Sequence, residues 1–582
     1  MIKKLLLLML AASFTFSTEA RKKEVELTFF ETSDVHGSYF TYDFINRTPA
    51  PGGLARICTY VREQREKLGK ENVILVDNGD ILQGQPAAYY YNFIDTTSTH
   101  LCASILNYME YDAAAVGNHD VETGHAVYDR WVKDCHFPVL GANVIDLKTN
   151  QPYWQPYTIV ERQGLRIAIL GMITPGIPTW LPNKLWSGLR FDDQVKVARQ
   201  WMPVLRNQEK ADIVIGVFHS GLGKMENHSD LAENAATQVA NQVPGFDLIF
   251  YGHDHRKNCL KVANTEGDSV LLVNPGAAAV NLAAAKMKVT VEGKKSNRKV
   301  TVNQVEGEVI DMSDLTPDPD FCKTFAKEEK AVRDFTEKII GHSKNTLDTR
   351  SAFFGSSAFV DFIHSLQLKI GKADISFAAP LSFDAEIPAG DIRVSDMFNL
   401  YKYENFLYVV EMSGKEIQDY LEFSYGIWAQ QMKSADDHVL LFSKKNMNAA
   451  ENWQRLENSS YNFDSAAGLL YTVDVTKPAG QRVTIHSLAN GEPFASDRTY
   501  RVAVNSYRGN GGGKHFTQGA GIPKDQLSKR IVWSTDKDLR YYLMKEIEQL
   551  HDVNPQALNQ WKFVPEDWVK AAQKRDAEIL FR

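Results

Sequence analysis

Between residues 25 and about 275 the chain runs in short apolar stretches that each stop at a polar cluster: VELTFFETSDVHG, VILVDNGD, AAAVGNHD, IVIGVFHSG and LIFYGHDH. Apolar runs of this length, each stopped by a polar cluster, suit β-strands. Between them, LARICTYVREQREKLG and VKVARQWMPVLRNQ repeat apolar residues every three to four positions, which predicts amphipathic helices. Strands and helices in alternation predict a layered α/β domain over 24–312, a β-sandwich flanked by helices. In such domains ligands gather beyond the carboxyl ends of the strands. Every polar cluster quoted above closes one of these runs.

The texture changes at PDPDFCKTFAKEEKAVRDFTEKIIG, which is charged, helical in spacing and opened by proline, so a linker helix is expected over 313–343. Strand patterns such as FLYVVEM and LLYTVDV, with turn stretches IPAGD, KPAGQ and GNGGGK, then predict a second α/β domain over 344–545. The piece from Trp428 to Asn462 is polar and weakly periodic and reads as an insertion or loop. A C-terminal helical extension is expected over 546–582.

Composition agrees with a globular chain of more than one domain: 582 residues, 44% hydrophobic and 24% charged. The first twenty residues, MIKKLLLLMLAASFTFSTEA, carry two lysines, a dozen apolar positions and small residues at the end. That is the layout of a signal peptide cleaved near Ala20, too short in its apolar part for a membrane anchor, and it places the mature protein in the periplasm. Cys58, Cys102, Cys135, Cys259 and Cys322 are scattered and odd in number, so they neither staple a small fold nor form a zinc motif. A formal charge of −7 without one-sign blocks argues against intact nucleic acid as partner, while leaving small anions open. Oligomeric state is not legible at this level.

The chemistry lies in five clusters: Asp34-Val-His36, Gly79-Asp80, Gly117-Asn118-His119-Asp120, His219, and Gly252-His253-Asp254-His255. A single GNH or DxH triplet is ordinary turn chemistry. Five of them at strand ends, mixing carboxylate, amide and imidazole, form a set suited to divalent first-row metals. Asp254, Asp77 and His228 read instead as fold or surface residues.

On these motifs the chain resembles the calcineurin-like metallophosphoesterases, and within them the exported 5′-nucleotidase and 2′,3′-cyclic-nucleotide phosphodiesterase family, across about residues 25 to 540. The resemblance implies two divalent metal ions, one held by Asp34, His36 and His255, the other by Asn118, His219 and His253, with Asp80 bridging. Zn, Mn, Fe and Co all suit this ligand set. It also implies His119 as the catalytic histidine, assisting the leaving oxygen while a hydroxide bridging the metals attacks phosphorus. Relatives carry GNHEFD, with Asp three positions past the histidine; here that position is Glu122, favoured as the carboxylate that orients His119, with Asp120 as the alternative. The bland reading of Asp120 is the N-cap of the helix HAVYDRWVKD.

The second domain bears on substrate. NFDSAAGLLYTVDV and AVNSYRGNGGGKHF resemble the family's two base-binding segments and place Phe463 and Tyr507 as rings sandwiching a nucleobase, although each ring alone reads as core. Where the 5′-nucleotidase branch has the phosphate-binding Arg of GGGIR, this chain has Asp384, and where that branch has the Asp of NGGDG, it has Gly513. The segments IPAGDI and YKYENFL look like the cyclic-nucleotide branch. The implied substrate is a nucleoside 2′,3′-cyclic phosphate, opened to the 3′-phosphate, with 3′-nucleotide hydrolysis after it. The alternatives are a 5′-nucleotidase or nucleotide-sugar hydrolase on the same scaffold, and a periplasmic nucleotide-binding protein without catalysis.

Overall fold

The computed structural model describes residues 22–224, 232–293 and 298–582. The expected signal peptide over 1–20 and His228 lie outside the described residues.

Two six-stranded sheets form the first domain. One orders its strands Lys299–Asp311, Asn281–Glu292, Lys22–Thr32, Val73–Asp77, Ala113–Ala115, Val139–Leu140. The other orders Asn258–Ala263, Ser269–Asn274, Leu248–Tyr251, Ile213–His219, Leu165–Ile173, Tyr157–Arg162. The sheets close on each other through a core that includes Leu27, Phe29, Ile74 and Val76 from the first and Ile167, Ile169, Ile215 and Phe250 from the second. Burial of a side chain such as Phe29 contributes about 1.5–3 kcal/mol. The outer faces are covered by helices, Leu54–Leu68, Leu101–Tyr108 and His125–Asp134 on one side, Gln194–Pro203 and Ala236–Gln242 on the other. With neighbours on both faces, VILVD and IVIGVFH are buried along their whole length, which is why they read as unbroken apolar runs.

Direction matters for the site. Lys22–Thr32, Val73–Asp77 and Ala113–Ala115 run parallel, and so do Leu165–Ile173, Ile213–His219 and Leu248–Tyr251. Each sheet therefore sends its carboxyl ends to one edge of the sandwich.

After the sandwich come two helices, Pro319–Thr324 and Ala326–Glu337, rather than one. Asp318 caps the first, accepting from the Phe321 N–H at 2.7 Å with Pro319 at the first position. Phe321 and Phe325 sink into the first domain's core, and the chain breaks at Phe325 to let both do so. The expected linker helix also ends early, because Ile339–Ser343 is already a strand paired with Gly390–Arg393.

The second domain is built on a five-stranded sheet in the order Ser465–Ala467, Ile375–Ala378, Thr499–Asn505, Phe406–Ser413, Ile531–Asp538. Helices Ala358–Gly371 and Gly414–Trp428 pack on it, the latter opened by a capping box between Ser413 and Glu416. The C-terminal segment departs from the helical extension expected for it. Asp552–Val553 pairs with Ile339–Ser343, and Trp561–Val564 runs parallel to Leu469–Asp474, before the helix Glu566–Phe581. Trp561 and Phe563 point into the core and Lys562 outward, a two-residue period too short to stand out in the sequence. The tail also holds the insertion: Asp576 accepts from the Val439 and Leu440 N–H groups at 2.9 Å and faces His438 Nδ1 at 2.5 Å.

Candidate metal centre

All seven candidate ligands lie at the edge where the parallel strands end. Asp34 and His36 follow Lys22–Thr32, Asp80 follows Val73–Asp77, Asn118 opens the short helix after Ala113–Ala115, His219 closes Ile213–His219, and His253 and His255 follow Leu248–Tyr251. The loops are laced together by backbone bonds, Asp34 N–H to Gly79 O at 3.0 Å and His36 N–H to Asp80 O at 2.9 Å. Asp34, His36, Asp80, His253 and His255 all have φ between 50° and 74°. Left-handed backbone at non-glycine residues costs on the order of 1 kcal/mol or more each and persists where surrounding structure enforces it.

Two groups of ligand atoms result, Asp34 with His36 and His255, and Asp80 with His219 and His253, each within 4.8 Å of one another. Asn118 belongs with the second, its Oδ1 lying 3.1 Å from His219 Nε2. The donor set fits cations. His36 Nδ1–H donates to Gln83 O at 3.0 Å, which leaves its Nε2 lone pair facing His255 Nε2 at 3.0 Å, with Asp34 Oδ1 3.3 Å from the same nitrogen of His255. Burial pushes the His36 pKa down to about 4. In the same way His219 Nδ1–H donates to Asn78 O at 2.7 Å, and its Nε2 meets Asp80 Oδ2 and Asn118 Oδ1, each at 3.1 Å. Such convergent lone pairs, with the far side of each histidine fixed by a carbonyl, are the arrangement of metal-ligating imidazoles. Burial would lift the Asp80 pKa, but His219, His119 and His36 hold it well below the usual carboxylate range. Ser33 supports the first group, its hydroxyl donating to Asp34 Oδ2 at 2.6 Å.

His119 stands beside this centre. Its N–H donates to Asp80 Oδ1 at 2.7 Å, and its Nδ1 meets Glu122 Oε2 at 2.5 Å. Burial pulls its pKa down, but Asp80, Glu122 and Glu404 of the second domain outweigh this and raise it to about 10. Asp120 does different work. Its carboxylate accepts from the N–H groups of Gly117, Asp80, Ile81 and Leu82 at 2.7–2.9 Å, so it braces the two ligand loops from below. It does not cap HAVYDRWVKD, whose N-cap is Gly124.

A cleft of about 280 Å³ opens from His119, Asn118 and His253 toward the second domain, where Tyr403, Tyr461, Tyr507, Asn405 and Asn505 line it. Tyr507 is thus one of the residues lining the cleft. Phe463 is not: it is 1% exposed and stacks on Trp428 at 4.6 Å and 6°, with Tyr425 edge-on at 5.3 Å. The turn Ser460–Asn462 puts Tyr461 into the cleft and sends Phe463, two residues on, into the core. Trp180 is a second residue that motif reasoning missed; it lines the cleft, its ring 5.7 Å from that of His253, and nothing in its sequence surroundings marks it.

The model of the calcineurin-like phosphoesterase family matches residues 27–257, and that of the 5′-nucleotidase C-terminal domain matches residues 339–519. The chain belongs to the calcineurin-like metallophosphoesterases. Enzymes of this family use divalent metal ions, in keeping with the two ligand groups at the strand ends. It is 27% identical to the 2′,3′-cyclic-nucleotide 2′-phosphodiesterase/3′-nucleotidase of Yersinia enterocolitica, over 97% of this chain and 92% of that protein. The protein so named from Salmonella typhimurium is also 27% identical, over 96% and 91%. A trifunctional nucleotide phosphoesterase of Bacillus subtilis matches at 27% over 94% of this chain, which spans 39% of that longer protein. Two solved structures share the fold, a Staphylococcus aureus protein crystallised with alpha-ketoglutarate (TM-score 0.74, 21% identity, 92% and 99% covered) and a Thermus thermophilus 5′-nucleotidase precursor (0.61, 21%, 93% and 100%).

In this phosphoesterase the two departures from the 5′-nucleotidase motifs have structural reasons. Asp384 is ion-paired with Arg350 at 2.6 Å and is not among the residues lining the cleft. Gly513 has φ 68°, and a Cβ there would stand 2.1 Å from Arg508 Nη1, so a side chain at that position would be strained and would displace the guanidinium.

Proposed function

We propose that this phosphoesterase opens nucleoside 2′,3′-cyclic phosphates to 3′-phosphates and goes on to hydrolyse 3′-nucleotides. The observation that carries the reading is the cleft with Asn118 and His253 of the second ligand group and His119 on one wall and Tyr461 and Tyr507 on the other. Near-full-length similarity to proteins named for these two activities supports it.

In this reading Asp34, His36 and His255 would hold one divalent ion, and Asn118, Asp80, His219 and His253 would hold a second. Bound there, divalent ions would supply positive charge for the phosphoryl oxygens and activate water for attack. Tyr461 and Tyr507 hold the base by stacking, and Asn405 and Asn505 offer amides toward the sugar. Glu122 keeps the His119 Nδ1 proton engaged, so Nε2 is the nitrogen that delivers a proton to the departing oxygen. Export with cleavage near Ala20 and a periplasmic location complete the proposal; among the described residues no helix is long and apolar enough to cross a membrane.

Purified protein assayed on 2′,3′-cyclic AMP, 3′-AMP and 5′-AMP tests it. Preferred turnover of 5′-AMP would replace this reading with a 5′-nucleotidase. His119→Ala is expected to abolish turnover while metal content stays at the parent's level, and a fully active variant would remove His119 from the reaction.

A further inference from the structure

Arg508 immediately follows Tyr507, yet its side chain leaves the cleft and is 1% exposed. Most of the hydrogen bonds of its guanidinium reach across to the segment that carries Tyr461. Nε donates to Asp464 Oδ2 at 2.9 Å and Nη2 to Asp464 Oδ1 at 3.2 Å, a two-pronged ion pair with a carboxylate that is equally buried. Nη2 also donates to the backbone oxygen of Tyr461 at 2.7 Å, and Nη1 to Asn462 Oδ1 at 3.1 Å and Gly512 O at 3.2 Å. One guanidinium thus ties the turn carrying Tyr461 to the loop that follows Tyr507.

Asp464 is fixed in turn. It accepts from the Tyr420 hydroxyl, its N–H donates to Ser424 Oγ at 2.9 Å, and Ser424 Oγ donates to its carbonyl at 2.8 Å. Tyr420 and Ser424 belong to the helix Gly414–Trp428, so the bridge stands on the domain's core. Among the described residues no ring contact joins Tyr461 to Tyr507, so their separation is not set by the rings touching. Gly513 completes the arrangement, since any side chain there would collide with Nη1.

We propose that Arg508, seated on Asp464, is a positioning residue that sets the gap between Tyr461 and Tyr507 and so determines how tightly a base is held. The proposal rests on the reading of the cleft as a nucleotide site. Lysine cannot replace it: an ammonium presents its donors from one point, whereas this fork reaches a carboxylate, two backbone oxygens and a side-chain amide at once.

Arg508→Lys keeps a positive charge beside Asp464 and is expected to raise KM for 2′,3′-cyclic AMP about tenfold, the loss of roughly one stacking contact. On the same expectation kcat changes less than about twofold. For ribose 2′,3′-cyclic phosphate, which brings no aromatic ring, KM should move far less. If Arg508→Lys does not fold, as read by thermal melting, the paired variant Asp464→Asn/Arg508→Gln replaces the ion pair by two neutral amides and is read in the same way. An unchanged KM for the cyclic nucleotide, or equal effects on both substrates, overturns the proposal. Tyr461→Ala and Tyr507→Ala separate it from the underlying reading: if neither raises KM for the cyclic nucleotide, the cleft is not a base site. If both do and the Arg508 variants do not, only the role of Arg508 falls.

Discussion

Two carboxylates three and one positions from His119 have opposite duties, and only one of them faces it. Glu122 lies 2.5 Å from the imidazole, while Asp120 spends its oxygens on four backbone N–H groups. The variants should separate cleanly. Glu122→Gln is expected to lower kcat about 10²-fold or more, within the usual span of acid–base assistance, with metal content unchanged by elemental analysis. Asp120→Asn should instead destabilise the fold by about 1–3 kcal/mol and weaken metal retention, because an amide cannot accept from all four donors at once. Steady-state kinetics and thermal melts on the two proteins distinguish these outcomes. At this scale the coming together of Asp34, His36 and His255, and of Asp80, His219 and His253, was legible, since such residues at several strand ends have few other uses. The second aromatic ring beside Tyr507 was not: whether Tyr461 or Phe463 meets the cleft is decided by one turn of backbone at 460–462, which no side-chain pattern encodes.

Among the elements, the strands of the first domain were readable because burial on both faces leaves an unbroken apolar signature. Ile339–Ser343, Asp552–Val553 and Trp561–Val564 escaped notice because strands of two to five residues in polar surroundings show too few turns of the alternation to be seen. The tail is nevertheless a structural part of the second domain. Trp561→Ala should cost about 3–5 kcal/mol, as for other large core truncations, seen as a lower urea midpoint. Asp576→Ala removes the acceptor for Val439 and Leu440, so limited proteolysis should cut first within 429–462, and a digestion pattern like the parent's would show that the insertion is held by other contacts.

Seen whole, the molecule puts its cleft where the domains meet, and Tyr89 of the first domain is buried there against Phe398 of the second, its hydroxyl donating to Asp538 at 3.3 Å. Arg47 Nη1 donates to Ser395 Oγ at 3.0 Å, Lys184 Nζ to Thr535 O at 3.0 Å, and Asn510 Nδ2 to Trp180 O at 3.3 Å. The ion pair of Arg47 with Asp396, at 3.4 Å and partly exposed, adds little. A ligand spanning the cleft should therefore stabilise the pair of domains measurably. A non-hydrolysable cyclic nucleotide analogue at a hundred times its Kd is expected to add about 2.7 kcal/mol to unfolding. Chelation should abolish turnover and lower the melting temperature of the first domain first, with both restored by a divalent ion. A chelated protein that keeps full activity would exclude the metal-assisted mechanism.

The left-handed backbone at Asp34, His36, Asp80, His253 and His255 has a consequence for protein engineering. Copying those five side chains onto another strand-rich scaffold would transplant the chemistry without its geometry, because ordinary extended residues aim their side chains elsewhere. The heritable unit is the set of kinked loops with their mutual N–H to carbonyl lacing, and a designer who wants this centre has to graft main chain first and ligands second.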